Sequence, residues 1–215
     1  MFELTLSFDN GPEPEVTPAV LDTLARRGVR ATFFVIGAKL ARPEGWRLAE
    51  RAHAEGHWIG NHTWSHDAPL GTVAAEVSRD EIARTQAAIG PLVHPHRLFR
   101  PFGGQGRLGP HLLSRSVVDY LARERFTVVL WNAVPRDWAD PDGWVERALA
   151  QCRSQPWTCM VLHDLPTGAM RHLDGFLDAV AQAGGRLRQD FPPDCVPMRD
   201  GRIVGSLEDY VARVS

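Results

Sequence analysis

Lysine is almost missing from this chain. Lys39 is the only one among 24 basic residues, which stand against 26 acidic ones. The net charge of −2 and pI near 6.5 give no electrostatic footprint for nucleic acid or anionic lipid. Cysteine is scarce too. Cys152, Cys159 and Cys195 are too few and too irregularly spaced for a disulfide framework or a zinc knuckle, and an odd count suits a reducing compartment. No apolar run approaches the roughly 18 residues of a membrane span. No basic-then-apolar leader precedes the first strand, which begins within the first few residues. The chain as it stands is therefore expected in the cytoplasm, or secreted or periplasmic if a signal segment preceded it. Linkers, repeats and low-complexity blocks are absent, so residues 1–215 read as one domain whose 44% apolar content supplies a sizeable core. Oligomeric state leaves no mark on the sequence.

What is present is an alternation of two periodicities. Apolar runs rich in β-branched and aromatic residues at Leu4–Phe8, Ala31–Ile36, His57–Asn61, Arg97–Arg100, Phe126–Trp131 and Thr158–Leu162 read as strands. Between them lie helical patterns at Thr17–Arg27 (stopped by Gly28), Trp46–Ala54, Thr72–Ile89, Pro110–Ala122, Asp142–Ala150 and Met170–Ala183. A possible strand at Arg202–Val204 and a last helix from Ser206 complete the chain. Repeated β-then-α units imply right-handed crossovers and a parallel sheet. Six or seven units in about 200 residues point to a closed or nearly closed α/β barrel, slightly small for eight strands.

Polar clusters follow the strands. Asp9 and Asn10 follow the first, His62 and His66 the third, Arg100 the fourth, Asp137 the strand ending at Trp131, and His163-Asp164 the last clear strand. Parallel barrels build their active sites on that face, and a carboxylate with a histidine pair is how a hydrolytic metal site is assembled there. Histidine pairs four apart arise by chance, however. His53 and His57 form a second one, but they sit on different elements, and His57 reads as a structural hydrogen-bonder. His62 and His66 share a turn rich in Asn, Thr and Ser that can orient imidazoles. His94-Pro95-His96 reads as surface, and Trp46, Trp58, Trp144 and Trp157 as packing residues. Trp64 is a candidate for the site wall. Gly103-Gly104-Gln105-Gly106 lacks the Lys-Ser/Thr of a phosphate loop.

Ser7-Phe8-Asp9-Asn10-Gly11-Pro12 and Gly60-Asn61-His62-Thr63-Trp64-Ser65-His66 resemble the first two motifs of the polysaccharide deacetylases, the NodB-homology domain of carbohydrate esterase family 4. Phe99-Arg100-Pro101-Phe102-Gly103-Gly104, Trp131-Asn132 through Arg136-Asp137-Trp138, and Val161-Leu162-His163-Asp164 resemble the other three, in family order across residues 5–164. The resemblance implies a distorted (β/α)7 TIM-like barrel that removes N-acetyl groups from a glycan of chitin-oligomer or cell-wall type. It implies Asp9 as general base held by Arg100, and a divalent ion of the Zn2+ kind on His62, His66 and Asn10. His163 becomes the general acid paired with Asp137, a backbone N–H near Gly103 serves the oxyanion, and Trp138 and Leu162 wall the acetyl pocket.

Two positions depart from the pattern. The family's third metal ligand is an aspartate where this chain has Asn10, and a further aspartate of the fourth motif is replaced by Val134. An amide oxygen ligates without charge, so weakened metal binding is expected. Two other functions are compatible with these departures: a non-catalytic carbohydrate-binding barrel disabled at Asn10, and a relative that hydrolyses a non-sugar amide.

Overall fold

A computed structural model describes residues 1–212. Strand β1 (Phe2–Asp9) runs through the middle of the sheet because its sequence can be buried on both sides. Leu4, Leu6 and Phe8 turn toward a layer of helices, while Thr5, Ser7 and Asp9 alternate to the other face, the barrel interior. Helix α1 (Thr17–Arg27) ends where expected, at Gly28 with φ 62°, and buries Val20, Leu21 and Leu24 against the outer face. Then follow β2 (Thr32–Val35), a short α2 (Gly37–Leu40), α3 (Pro43–Ala54), β3 (Trp58–Asn61) and α4 (Ala75–Ile89). Strand β4 (Leu98–Phe99), α5 (Arg115–Arg123), β5 (Thr127–Val128), α6 (Trp144–Arg153), β6 (Trp157–His163) and α7 (Leu173–Gln182) continue the alternation.

The strands lie in the order β6-β1-β2-β3-β4-β5, all parallel. Register along β1 sets Asp9 beside Phe34 on one side and His163 on the other. Across the remaining gap, between β5 and β6, contact is irregular. Ala133 bridges Met160, and the Asn132 side chain accepts from Cys159 N at 2.7 Å and donates to the Trp157 carbonyl at 3.1 Å. The result is a distorted (β/α)7 barrel, nearly closed.

Four expectations change. The run Phe126–Trp131 forms ladder pairs only at Thr127 and Val128, because its partners switch. Val129 N bonds Phe99, Leu130 N bonds Cys195 and Asn132 N bonds Cys159. The helix expected from Pro110 breaks into a 3-10 turn, Pro110–Leu112, and α5, whose start is capped by Ser114 Oγ accepting from Val117 N. In place of a helix from Ser206 there is one 3-10 turn, Glu208–Tyr210. Strand β7 (Gly185–Arg188), paired to the start of β1, was hidden because three of its four residues are glycine or arginine. A hairpin of β8 (Met198–Arg199) and β9 (Arg202–Ile203) extends the sheet antiparallel beyond β5. Among the described residues no helix is long and apolar enough to cross a membrane.

Candidate active site

At the carboxyl ends of β1, β3 and β6 a cavity of about 220 Å³ opens, lined by Asp9, Asn10, His62, His66, Trp138 and His163. Gly103 and its glycine-rich neighbours form the rim. Arg100 and Asp137, both fully buried, stand behind this lining and hold it in place.

Asp9 is fixed from one side. Arg100 Nη1 donates to Asp9 Oδ1 at 2.8 Å and to Ser7 Oγ at 2.6 Å, while Nε and Nη2 donate to the Val129 and Leu130 carbonyls at 3.2 Å each. The guanidinium lies over the Phe34 ring, 4.0 Å from its centroid. With Oδ1 occupied, Oδ2 faces His62 Nε2 at 3.6 Å.

The two imidazoles meet in a loop that begins where β3 ends, their ring centroids 4.8 Å apart. His62 Nδ1 lies 2.8 Å from the Arg100 carbonyl. A carbonyl only accepts, so Nδ1 carries the hydrogen and Nε2 keeps its lone pair for the cavity. Phe102 covers His66 at a centroid distance of 4.0 Å. Burial, with His62 and His163 close by, drives the His66 pKa down to about 2, so its ring is a neutral donor. Asn10 contributes a buried Oδ1 with no hydrogen-bond partner, on a backbone at φ 74° that asparagine tolerates better than most residues. Two neutral imidazole nitrogens and an unpaired amide oxygen fit a divalent ion. Among the described residues no cluster of three His, Cys, Asp or Glu side chains is placed to hold one, and the amide oxygen is the unpaired polar atom lining the same cavity as the histidine pair.

Opposite, His163 Nδ1 lies 2.9 Å from Asp137 Oδ1, and Asp137 Oδ2 accepts from His163 N at 2.8 Å. Burial opposes charge on this ring, but the Asp137 bond and charge, with Asp9 and Asp164 beyond, outweigh it and raise the His163 pKa. Trp138 packs edge-on against the ring at 4.7 Å.

Leu162, expected to wall the pocket, does not reach it. Alternation along β6 sends Met160 and Leu162 into the helix-facing core with Phe8, and sends Val161 and His163 inward. The apolar lining comes from Val161, Leu165, Trp131 and Val134 instead. Trp64 likewise lies outside the lining and stacks beneath Arg84, 4.1 Å from its guanidinium carbon. His57 serves structure, its Nδ1 accepting from Ala31 N at 3.0 Å.

Asp164 is the residue whose importance the strand-end reasoning missed. It is fully buried, its Oδ2 accepts from Thr17 Oγ1, and its Oδ1 has no partner. A Cβ on Gly11 would fall 2.2 Å from Oδ2, so the Asp9–Pro12 turn can pack onto the carboxyl only through glycine. Burial raises the Asp164 pKa to about 7. The residue was visible in the sequence, directly after His163 at the strand end, but burial is not readable from one position.

Two outcomes follow for stability. Arg100→Met should cost about 3–5 kcal/mol in urea unfolding by stranding Asp9 in the interior, and Asp9→Asn in the same chain should recover much of it. Asp164 has a folded pKa above its unfolded value near 4, so its contribution is present below about pH 4 and lost as pH rises through about 7. The melting temperature of Asp164→Asn should accordingly fall less than that of the parent between about pH 5 and 8.

Similarity to known proteins agrees with this geometry. Residues 2–127 match the family profile described as Polysaccharide deacetylase. A chitooligosaccharide deacetylase of Bradyrhizobium sp. (strain ANU 289) is 38% identical over 77% of this chain and 73% of its own length. A peptidoglycan-N-acetylglucosamine deacetylase of Bacillus cereus is 30% identical over 83% of this chain and 60% of its own. In structure, a family 4 carbohydrate esterase from Streptomyces lividans superposes with a TM-score of 0.73 at 26% identity, covering 91% of this chain and 96% of that one. The chain belongs to the polysaccharide deacetylase family, hydrolases of carbon–nitrogen bonds outside the peptide backbone.

Proposed function

We propose that this protein removes N-acetyl groups from amino-sugar glycans of the chitooligosaccharide or peptidoglycan type, with a divalent ion such as Zn2+ held by His62, His66 and Asn10. One observation carries the reading. A carboxylate held from behind by arginine and an imidazole held from behind by aspartate line one cavity, with a neutral histidine pair between the same walls. The relatives named above supply the substrate class.

When bound, the ion supplies Lewis acidity, polarising the amide carbonyl and lowering the pKa of a water. Asp9 takes a proton from the attacking water through Oδ2, the oxygen that Arg100 leaves free. His163 has its Nδ1 engaged by Asp137, so Nε2 carries the proton delivered to the departing sugar amine. The acyl carbon keeps the water oxygen and leaves as acetate, and the amine leaves with the transferred proton. A backbone N–H near Gly103 would serve the developing oxyanion, and Trp138, Val161 and Leu165, which line the cavity, would receive the acetyl methyl.

Asn10 sets the metal requirement. An uncharged third donor should leave acetate release from N-acetylated glycans abolished by chelator and dependent on added Zn2+ or Co2+. Asn10→Asp should lower the metal concentration for half-maximal release by about 10–100-fold. If parent and Asn10→Asp both stay silent with every glycan and metal, the deacetylase reading fails, leaving a non-catalytic carbohydrate-binding barrel or a hydrolase of a non-sugar amide. A second outcome concerns pH. Activity needs His163 protonated, so it falls as pH rises through that pKa, which Asp137 holds up. Asp137→Asn should move the alkaline limb of kcat/KM to lower pH, and an unmoved limb would remove His163 from the role of acid.

A further inference from the structure

Helix α4 lies outside the cavity yet controls the loop that carries both imidazoles. Glu81 Oε2 accepts from Trp64 N at 2.9 Å and from Ser65 N at 2.8 Å, and its Oε1 accepts from Ser65 Oγ at 3.0 Å. One residue on, the Ile82 carbonyl accepts from Asn61 Nδ2 at 2.9 Å, and Asn61 Oδ1 in turn accepts from Thr63 N. On the loop's other side the Gly37 and Ala38 N–H groups donate to the Thr63 and Trp64 carbonyls. Arg84 covers the Trp64 ring, so the clamp is shielded on its outer edge.

This support answers a specific need. Thr63 and His66 sit at φ 68° and 60°, a left-handed backbone uncommon outside glycine and a genuine outlier for the β-branched Thr63. Two such residues within five persist only where surrounding bonds over-determine them. The bonds at Trp64 and Ser65 fall between the two left-handed residues. Glu81 is the one charged side chain making them, and a carboxylate accepting backbone N–H groups forms the stronger, shorter kind of hydrogen bond.

We propose that Glu81 is the positioning residue of the metal-ligand loop, fixing His66 at the distance and tilt from His62 that an ion requires. The proposal rests on the metal reading given above. In the folded protein the carboxylate touches no reacting atom and acts through the Trp64 and Ser65 N–H groups and the Ser65 hydroxyl.

The test is Co2+ titration of metal-stripped protein by calorimetry and by the visible spectrum of bound Co2+, beside the melting temperature of the same metal-free samples. Glu81→Gln should raise the Co2+ Kd about tenfold and change the bound spectrum, with a metal-free melting temperature close to the parent's. Ser65→Ala, which removes one bond of three, should raise Kd about twofold, and it serves if Glu81→Gln does not fold. Glu76→Gln on the exposed side of the same helix, paired only with Arg79, controls for charge and should leave Kd unchanged. Equal Kd and spectrum for parent, Glu81→Gln and Ser65→Ala would overturn the positioning role. No Co2+ uptake by the parent or by Asn10→Asp would instead overturn the metal reading itself.

Discussion

The Arg100 guanidinium sits in the barrel interior with no exposed surface, and every nitrogen that it carries is used. Such burial is costly unless the charge is paired and its donors satisfied, and the partners come from three parts of the sheet. Asp9 and Ser7 belong to β1, the accepting carbonyls to the segment after β5, and Phe34 beneath the ion to β2. Arg100 itself leaves β4, and its own carbonyl receives the His62 ring. One ion pair therefore ties the orientation of Asp9 to that of His62, and both to the way the strands converge.

The second pair works by the same logic at the other wall. Asp137 holds the His163 ring and backbone together, so neither rotates independently, and its bond and charge favour the protonated ring against the cost of burial. Behind the two walls Asp164 fills the space under the Asp9–Pro12 turn as a largely uncharged acid below pH 7. Three buried aspartates in one barrel thus have three surroundings: a cation for Asp9, an imidazole for Asp137, and little but burial for Asp164. Asn10 stands among them as a neutral amide whose buried oxygen has no hydrogen-bond partner.

Much of this was legible in the order of residues. Strand ends, the Gly28 stop and the placement of Asp9, His62, Arg100 and His163 follow from periodicity and turn chemistry, because strand and helix repeats are local properties. Two of the misreadings concern distance in sequence. Phe126–Trp131 looks like one strand, yet it takes partners from Phe99, Cys159 and Cys195 in turn. Strand β7 has no apolar alternation to announce it and exists because β1 offers it an edge. Leu162 neighbours His163 in the chain but faces the opposite way, and a resemblance between motifs does not carry side-chain direction.

The sequence by itself determined which chemical groups are available, a carboxylate, an amide, two imidazoles and an acid–base pair, and it determined that each leaves a strand end, since apolar alternation and turn residues act over a few positions. Only the tertiary structure decided which oxygen of Asp9 is free, which nitrogen of His62 faces the cavity, that Val161 rather than Leu162 lines it, and that Glu81 grips the histidine loop. Those outcomes depend on groups tens of residues apart competing for the same hydrogen bonds in the barrel interior, and that competition exists only once the sheet has formed.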